Sequence, residues 1–126
     1  MIARYLFLTA SAAFFLSTVA QIFLAGMAIF ANPTHWGRHV SFVHIFEFLP
    51  LVMLLSRWLG RMPKSLLWFS AGLLGLIYVQ YFNANFRQIS PVVAATHPVT
   101  AMLLVGIAYV TLIKAWKTIQ TFRSNP

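Results

Sequence analysis

The chain has 126 residues, 60% of them hydrophobic and 8% charged, against roughly 25% charged in a soluble domain. That gap excludes a soluble globular fold and points to an integral membrane protein. Nine Lys and Arg face one acidic residue, for a net charge of +8, and there is no cysteine; disulfides, thiolate metal sites, iron–sulfur clusters and covalent haem attachment through Cys-x-x-Cys-His are therefore excluded.

A membrane helix needs about 20 mostly apolar residues, and four stretches qualify. The first runs from Tyr5 to Ala31 and is ended by Asn32-Pro33-Thr34, which can cap the next helix. The second runs from about Trp36 to Leu59 and stops at Gly60-Arg61-Met62-Pro63-Lys64. The third spans Ser65 to Phe86, and the fourth runs from about Pro91 to Trp116 before a short polar tail. The predicted fold is a single all-α domain, an integral membrane four-helix bundle. The first run is too long for the apolar region of a signal peptide, and no small-x-small site follows it. Small-residue stripes at Ala13, Ser17, Gln21 and Ala25, and at Ala71 with Gly75, predict close-packing helix faces.

The basic residues sit at the ends of the apolar runs, which predicts contact with lipid head groups rather than nucleic acid. Arg4, Arg57, Arg61, Lys64, Lys114, Lys117 and Arg123 fall on one side, and only Arg38 and Arg87 on the other. The positive-inside rule then places both termini in the cytoplasm, as in a multi-pass protein of a bacterial inner membrane. The second and fourth helices both run from outside to inside.

The titratable groups are concentrated in "HWGRHVSFVHIFEFLP", residues 35–50, which holds His35, His39, His44 and the only acid, Glu47. His35 lies at the boundary and can reach water. His39 lies about one turn into the second helix, His44 about two turns, and His97 about one to two turns into the fourth. Two parallel helices thus each bring an imidazole to the same level of the outer half of the membrane. Ionisable groups within spans usually face the bundle interior. Matched histidines on two helices suit the two axial positions of a haem b, held in the slot between facing helices. His39 and His44 are about 140° apart around their helix and do not point at one atom. The expected ligands are His39 and His97, with His44 the alternative ligand or a supporting partner. Pro50 and Pro98 free the carbonyls of Phe46 and Ala94. Arg38 and Arg87, near the outer surface, are expected partners for the haem propionates.

Glu47 lies near mid-membrane. As a neutral acid it is expected to hydrogen-bond Gln21, Gln80 or Asn83; ionised, it needs a cation. His44, Glu47 and His97 also permit a non-haem metal ion, as in two-histidine, one-carboxylate iron sites. That alternative makes the chain a membrane enzyme or transporter with Glu47 as the proton-active group, and a third reading is a cofactor-free accessory subunit. A redox role is preferred over hydrolase or transferase activity.

The segments "QIFLAGMAIF", "HWGRHVSFVHIFEFLPLVMLL", "LGRMPKSLLW", "VQYFNANF" and "AATHPVTAMLLV" resemble an uncharacterised family of small bacterial four-helix membrane proteins, a domain of unknown function. The resemblance covers nearly the whole chain and implies a fold without a biochemistry. More loosely, the second and fourth helices look like the histidine-bearing helices of four-helix membrane b-type cytochromes and of the haem A synthase bundle. His39 and His97 are the positions that match. Where many such helices carry a glycine four residues after the ligand, this chain has Val43. The resemblance implies haem b and a role in electron transfer or haem handling. One haem in the outer half does not cross about 30 Å of hydrocarbon, so a quinone or a redox protein is expected as partner; a homo-oligomer is compatible with this.

Overall fold

The computed structural model describes residues 1–124. It contains α1 (Ile2–Phe30), α2 (His35–Phe46), α3 (Leu49–Gly60), α4 (Lys64–Asn85), a short 3₁₀ turn (Phe86–Gln88) and α5 (Pro91–Ser124). The described residues form no strand. α2 and α3 together make one span, so four helices of 29, 26, 25 and 34 residues are long and apolar enough to cross a membrane. The all-α, multi-pass expectation therefore holds.

Local chemistry explains the boundaries. After α1, the Asn32 side chain accepts the Thr34 N–H (2.9 Å) and its carbonyl accepts that of His35 (3.0 Å), so the turn starts the next helix. The second span is interrupted at Glu47 and Phe48. Pro50 has no N–H to offer the Phe46 carbonyl, and the ladder resumes only with Leu51 and Val52 donating to Phe48. α3 ends in a left-handed cap at Arg61 (φ 50°), where Arg61 N–H donates to Trp58 (3.2 Å) and Met62 N–H to Arg57 (3.1 Å). At the start of α5 the Ser90 hydroxyl accepts the Val93 N–H (3.4 Å), and Pro91 takes the first helical position.

Two expectations change. The polar tail after Trp116 is helix through Ser124. Ala115 and Ile119 continue the buried stripe of α5, and Phe122 lies under the Arg4 guanidinium at 3.5 Å, which gives this turn apolar contacts to hold it. The small-residue stripes are not the main packing faces. Ala13 and Gly75 are exposed, and a Cβ on Gly75 would meet nothing within 4 Å. The buried face of α1 is Phe7, Ala10, Ser11, Phe14 and Thr18. In hydrocarbon an alanine or glycine has no need to leave the lipid-facing side, because the chains of the lipid solvate it as well as a neighbour does.

α1 packs against α2, α3 and α5, and α4 against α3 and α5. The core is concentrated at the end that carries the termini and the 61–63 turn. There Phe7, Phe14, Met53, Leu66, Leu73 and Ile119 are fully enclosed. Ser11, Ser56, Ser70 and Thr111 are buried among them, each donating its hydroxyl to a carbonyl one turn back in its own helix. They fill interhelical space as small side chains rather than as bridges between helices. Arg4 closes this basic end by donating Nε–H to the Gly60 carbonyl (3.0 Å).

Toward the opposite, histidine-bearing end the packing stops. No residue is buried between His35 and Ile45, nor between Pro91 and Leu103. Among the described residues only Ala28 and Asn83 are buried in that half. The hairpins α1/α2 and α4/α5 stay paired within themselves, while the space between them is left without a closed core.

Candidate functional site

Two polar clusters lie in this open half. In the first, His39 on α2 places Nδ1 3.0 Å from the main-chain carbonyl of Gln21 on α1, and the Gln21 amide returns a bond to the His39 carbonyl at 2.8 Å. His97 on α5 does the same with α4, its Nδ1 lying 3.1 Å from the Gln80 carbonyl. A carbonyl only accepts, so the contact assigns the His39 proton to Nδ1 and leaves Nε2 its lone pair; at His97 the Gln80 amide nitrogen also lies 3.1 Å from Nδ1. Neither Nε2 has a hydrogen-bond partner among the described residues. The edge of Trp36 meets His39 with centroids 5.5 Å apart. The Gln21 side-chain oxygen is buried without a partner.

Gln80 also repairs the α5 backbone around Pro98. With its amide nitrogen toward His97, it donates to the His97 carbonyl (3.0 Å) and to Thr100 Oγ1 (2.8 Å), and its oxygen accepts the Ala101 N–H (2.9 Å). A side chain inserted into the helical ladder is one recognised basis of a kink. Asn83 donates to the same Thr100 hydroxyl at 3.4 Å. The glutamines thus hold the two histidines, and neither they nor Asn83 bonds Glu47.

The second cluster contains Glu47. Its partners are the Tyr81 hydroxyl, which donates to Oε2, and His44, whose Nδ1 lies 3.2 Å from Oε1. The His44 ring stacks on Tyr81 (6.0 Å, 19°). The amides expected as partners of Glu47 are on other duties, and a phenol takes their place. The His44 side chain is 57% exposed and that of Glu47 17%, so the cluster lies at the bundle surface. The structure therefore separates the two histidines that a helical wheel leaves tied: His39 docks on Gln21 of α1, and His44 on Glu47.

A family profile, described as a family of unknown function (DUF6220), matches residues 21–86, more than half of the chain. The chain belongs to this family. The matched stretch starts at Gln21 and holds His39, Gln80 and the whole His44–Glu47–Tyr81 cluster, while His97 lies beyond it. No curated protein and no solved structure matches the chain.

Arg38 and Arg87 are exposed at the histidine-bearing end, Arg38 with Nη1 3.3 Å from His35 Nδ1 and Arg87 in the 3₁₀ turn. Among the described residues, no three His, Cys, Asp or Glu side chains gather as a metal ion requires. His44 and Glu47 adjoin, but His97 is engaged with Gln80 instead.

Sequence reasoning missed the main-chain carbonyls of Gln21 and Gln80, the Tyr81 phenol and Thr100. One signal was present. Gln21 precedes His39 by 18 residues and Gln80 precedes His97 by 17, so each hairpin repeats a glutamine on its first helix and a histidine on its second.

Proposed function

We propose that the chain is a small membrane haem b protein, with His39 and His97 as axial ligands, acting in electron transfer or haem handling. The observation that carries this reading is the matched docking of the two imidazoles. Each ring sets Nδ1 against a carbonyl of the neighbouring helix and leaves Nε2 free, a contact of the kind that orients metal-ligating histidines. The open half of the bundle supports it, because a macrocycle needs a slot between facing helices that closed packing would fill. The chemistry of the donor set fits as well: two neutral imidazoles on opposite hairpins, with Arg38 and Arg87 at the same end to pair with propionates.

Haem supplies one-electron chemistry at its iron when bound. The chain's part is positional. His39 and His97 would hold the haem iron; Gln21 and Gln80 would keep the two rings in place, and α1/α2 and α4/α5 would provide the walls. One site in one half of the bilayer does not span about 30 Å of hydrocarbon, so this reading requires an electron partner in or beside the membrane. The excess of basic residues at the other end favours a bacterial inner-membrane orientation with both termini cytoplasmic.

The test is haem content. Protein purified in mild detergent from haem-replete cells is expected to carry one haem b per chain by the pyridine haemochrome assay. His39→Ala and His97→Ala, with helicity unchanged by circular dichroism, are expected to carry none. A helical wild-type protein free of haem overturns the proposal.

A further inference from the structure

The basic end of the bundle takes no part in the site described above. Sequence alone predicts a diffuse contact between its cationic side chains and lipid head groups. The structure is more specific. Where α3 ends and the chain turns toward α4, Arg57, Trp58, Leu59, Arg61 and Met62 line a cavity of about 530 Å³. Small-molecule sites occupy about 300–1,000 Å³. Arg57 and Arg61 bring two guanidinium groups to this one cavity.

We infer that this cavity binds one anionic phospholipid, with Arg57 and Arg61 on its phosphate and Trp58 and Leu59 against its glycerol backbone and chains. The conformation of Arg61 is the first observation. It holds φ 50° in the left-handed cap that ends α3. Glycine is the usual residue at such a cap, because a Cβ is disfavoured there. The neighbouring Gly60 is not left-handed; it serves a different need, since a Cβ on it would come within 3.1 Å of the Arg4 side chain. The Arg61 side chain is exposed, and its guanidinium has no hydrogen-bond or ion-pair partner among the described residues. Backbone strain beneath a side chain that the fold does not use is the mark of a ligand-facing position.

Charge is the second observation. Arg57 donates Nε–H to the Pro63 carbonyl (3.4 Å), which steadies the side chain and leaves both its amino groups without a partner among the described residues. Two guanidinium forks match the oxygens of a phosphate. The carbonyls that would repel an anion at a helix C-terminus are taken. Arg61 and Met62 N–H donate to Trp58 and Arg57 at 3.2 and 3.1 Å, and Arg4 Nε–H donates to Gly60 at 3.0 Å. No carboxylate side chain competes, since the chain's one acidic residue, Glu47, stands about 15 Å from Arg57 along the span. The same lack of an acid selects the head group. The amine of a zwitterionic lipid would enter a field of cations with no carboxylate to pair it, whereas a glycerol head group carries no amine.

Position favours a lipid over a soluble phosphate. The cavity lies where two spans end, at the depth of the head groups, and Trp58 and Leu59 beside it are 68% and 58% exposed. The inference goes beyond the haem reading and does not depend on what His39 and His97 hold at the opposite end. Native mass spectrometry of the full chain in mild detergent tests it, by titration with phosphatidylglycerol, phosphatidylcholine and glycerol phosphate. One phosphatidylglycerol is expected to bind about tenfold more tightly than phosphatidylcholine, and glycerol phosphate to leave no adduct at the same concentration. Arg61→Gly, which suits the backbone, and Arg57→Gln are each expected to weaken phosphatidylglycerol binding about tenfold, the loss of one charge-assisted contact. Lys117→Gln and Arg123→Gln remove the same charge from α5 at the same end, outside the cavity, and are expected to weaken it less than about twofold.

Phosphatidylcholine bound as tightly as phosphatidylglycerol overturns the inference. So do equal losses in Arg123→Gln and Arg61→Gly, which would reduce the site to diffuse attraction. Glycerol phosphate bound as tightly as the lipid overturns it too, since the ligand would then be soluble. Arg61→Gly separates binding from folding: it is expected to lose lipid while its resistance to unfolding in SDS is kept or raised. Full lipid binding in that variant would remove the ligand as the reason for an arginine at the strained cap. If one arginine variant fails to fold, the other variant and the ratio of the two lipids on the wild type decide.

Discussion

Phe14 and Phe42 are both aromatic neighbours of Phe46, and truncating them should have different costs. Phe14 is 0% exposed and meets Phe46 edge-on at 5.7 Å, inside the packed half. Phe42 meets Phe46 at 5.3 Å from the open half and is only partly buried. In a bilayer the separated helices are already solvated by hydrocarbon, so the transfer part of a Phe→Ala loss largely vanishes and the cavity part remains. A closed cavity on the order of 100 Å³ at about 24 cal/mol per Å³ gives about 2.4 kcal/mol for Phe14→Ala. Phe42→Ala opens onto space that is not closed and should cost under about 1 kcal/mol. Both variants are to be made in the His39→Ala/His97→Ala background, so that no cofactor contributes, and unfolded reversibly in mixed micelles of rising SDS fraction. Equal losses, or a larger loss at Phe42, would refute the division of the bundle into a packed and an open half.

Other consequences concern the basic end and the α5 backbone around Pro98. Arg61 holds a left-handed conformation that costs an L-residue about 1–2 kcal/mol, so Arg61→Gly should raise stability by about 1 kcal/mol in the same assay, offset in part by glycine's greater unfolded freedom; a destabilised variant would mean the side chain contributes more than the backbone loses. Arg4→Ala removes both the bond to the Gly60 carbonyl and the contact with Phe122 and should cost about 1–2 kcal/mol, with Arg4→Lys recovering only part because an ammonium lacks the planar stack. Gln80→Leu removes the side-chain acceptor of the Ala101 N–H and should cost about 1–3 kcal/mol; amide hydrogen exchange should accelerate at Ala101 and stay unchanged at Leu73, and uniform exchange across both would contradict the role assigned to Gln80.

The four spans were legible because hydropathy over about 20 residues is a strong signal. Pro50 marked the Phe46 carbonyl as free, but the break at Glu47 and Phe48 falls inside a span read as one helix. The last turns of α5 were not, since Lys117, Gln120 and Arg123 make the tail polar on average while Ile119 and Phe122 still meet the bundle. Side-chain direction was the harder part. A helical wheel puts His39 and His44 on either side of Glu47 and has no means of choosing between them. The choice is made by neighbouring helices: Gln21 offers a carbonyl to His39, and Tyr81 brings its hydroxyl to Glu47 beside His44. Main-chain acceptors leave no mark in a sequence beyond the paired glutamine–histidine spacing. The small-residue stripes misled because lipid, unlike water, exerts no pressure to hide or show an alanine.

We propose that His39 and His97, and not His44, hold a haem between the two hairpins. Low-temperature electron paramagnetic resonance of the oxidised protein tests it most directly. The expected result is a low-spin bis-imidazole ferric signal in the wild type and in His44→Ala, and its loss from both His39→Ala and His97→Ala. Absence of the signal from a folded wild type, or its loss in His44→Ala with retention in His39→Ala, would contradict the account.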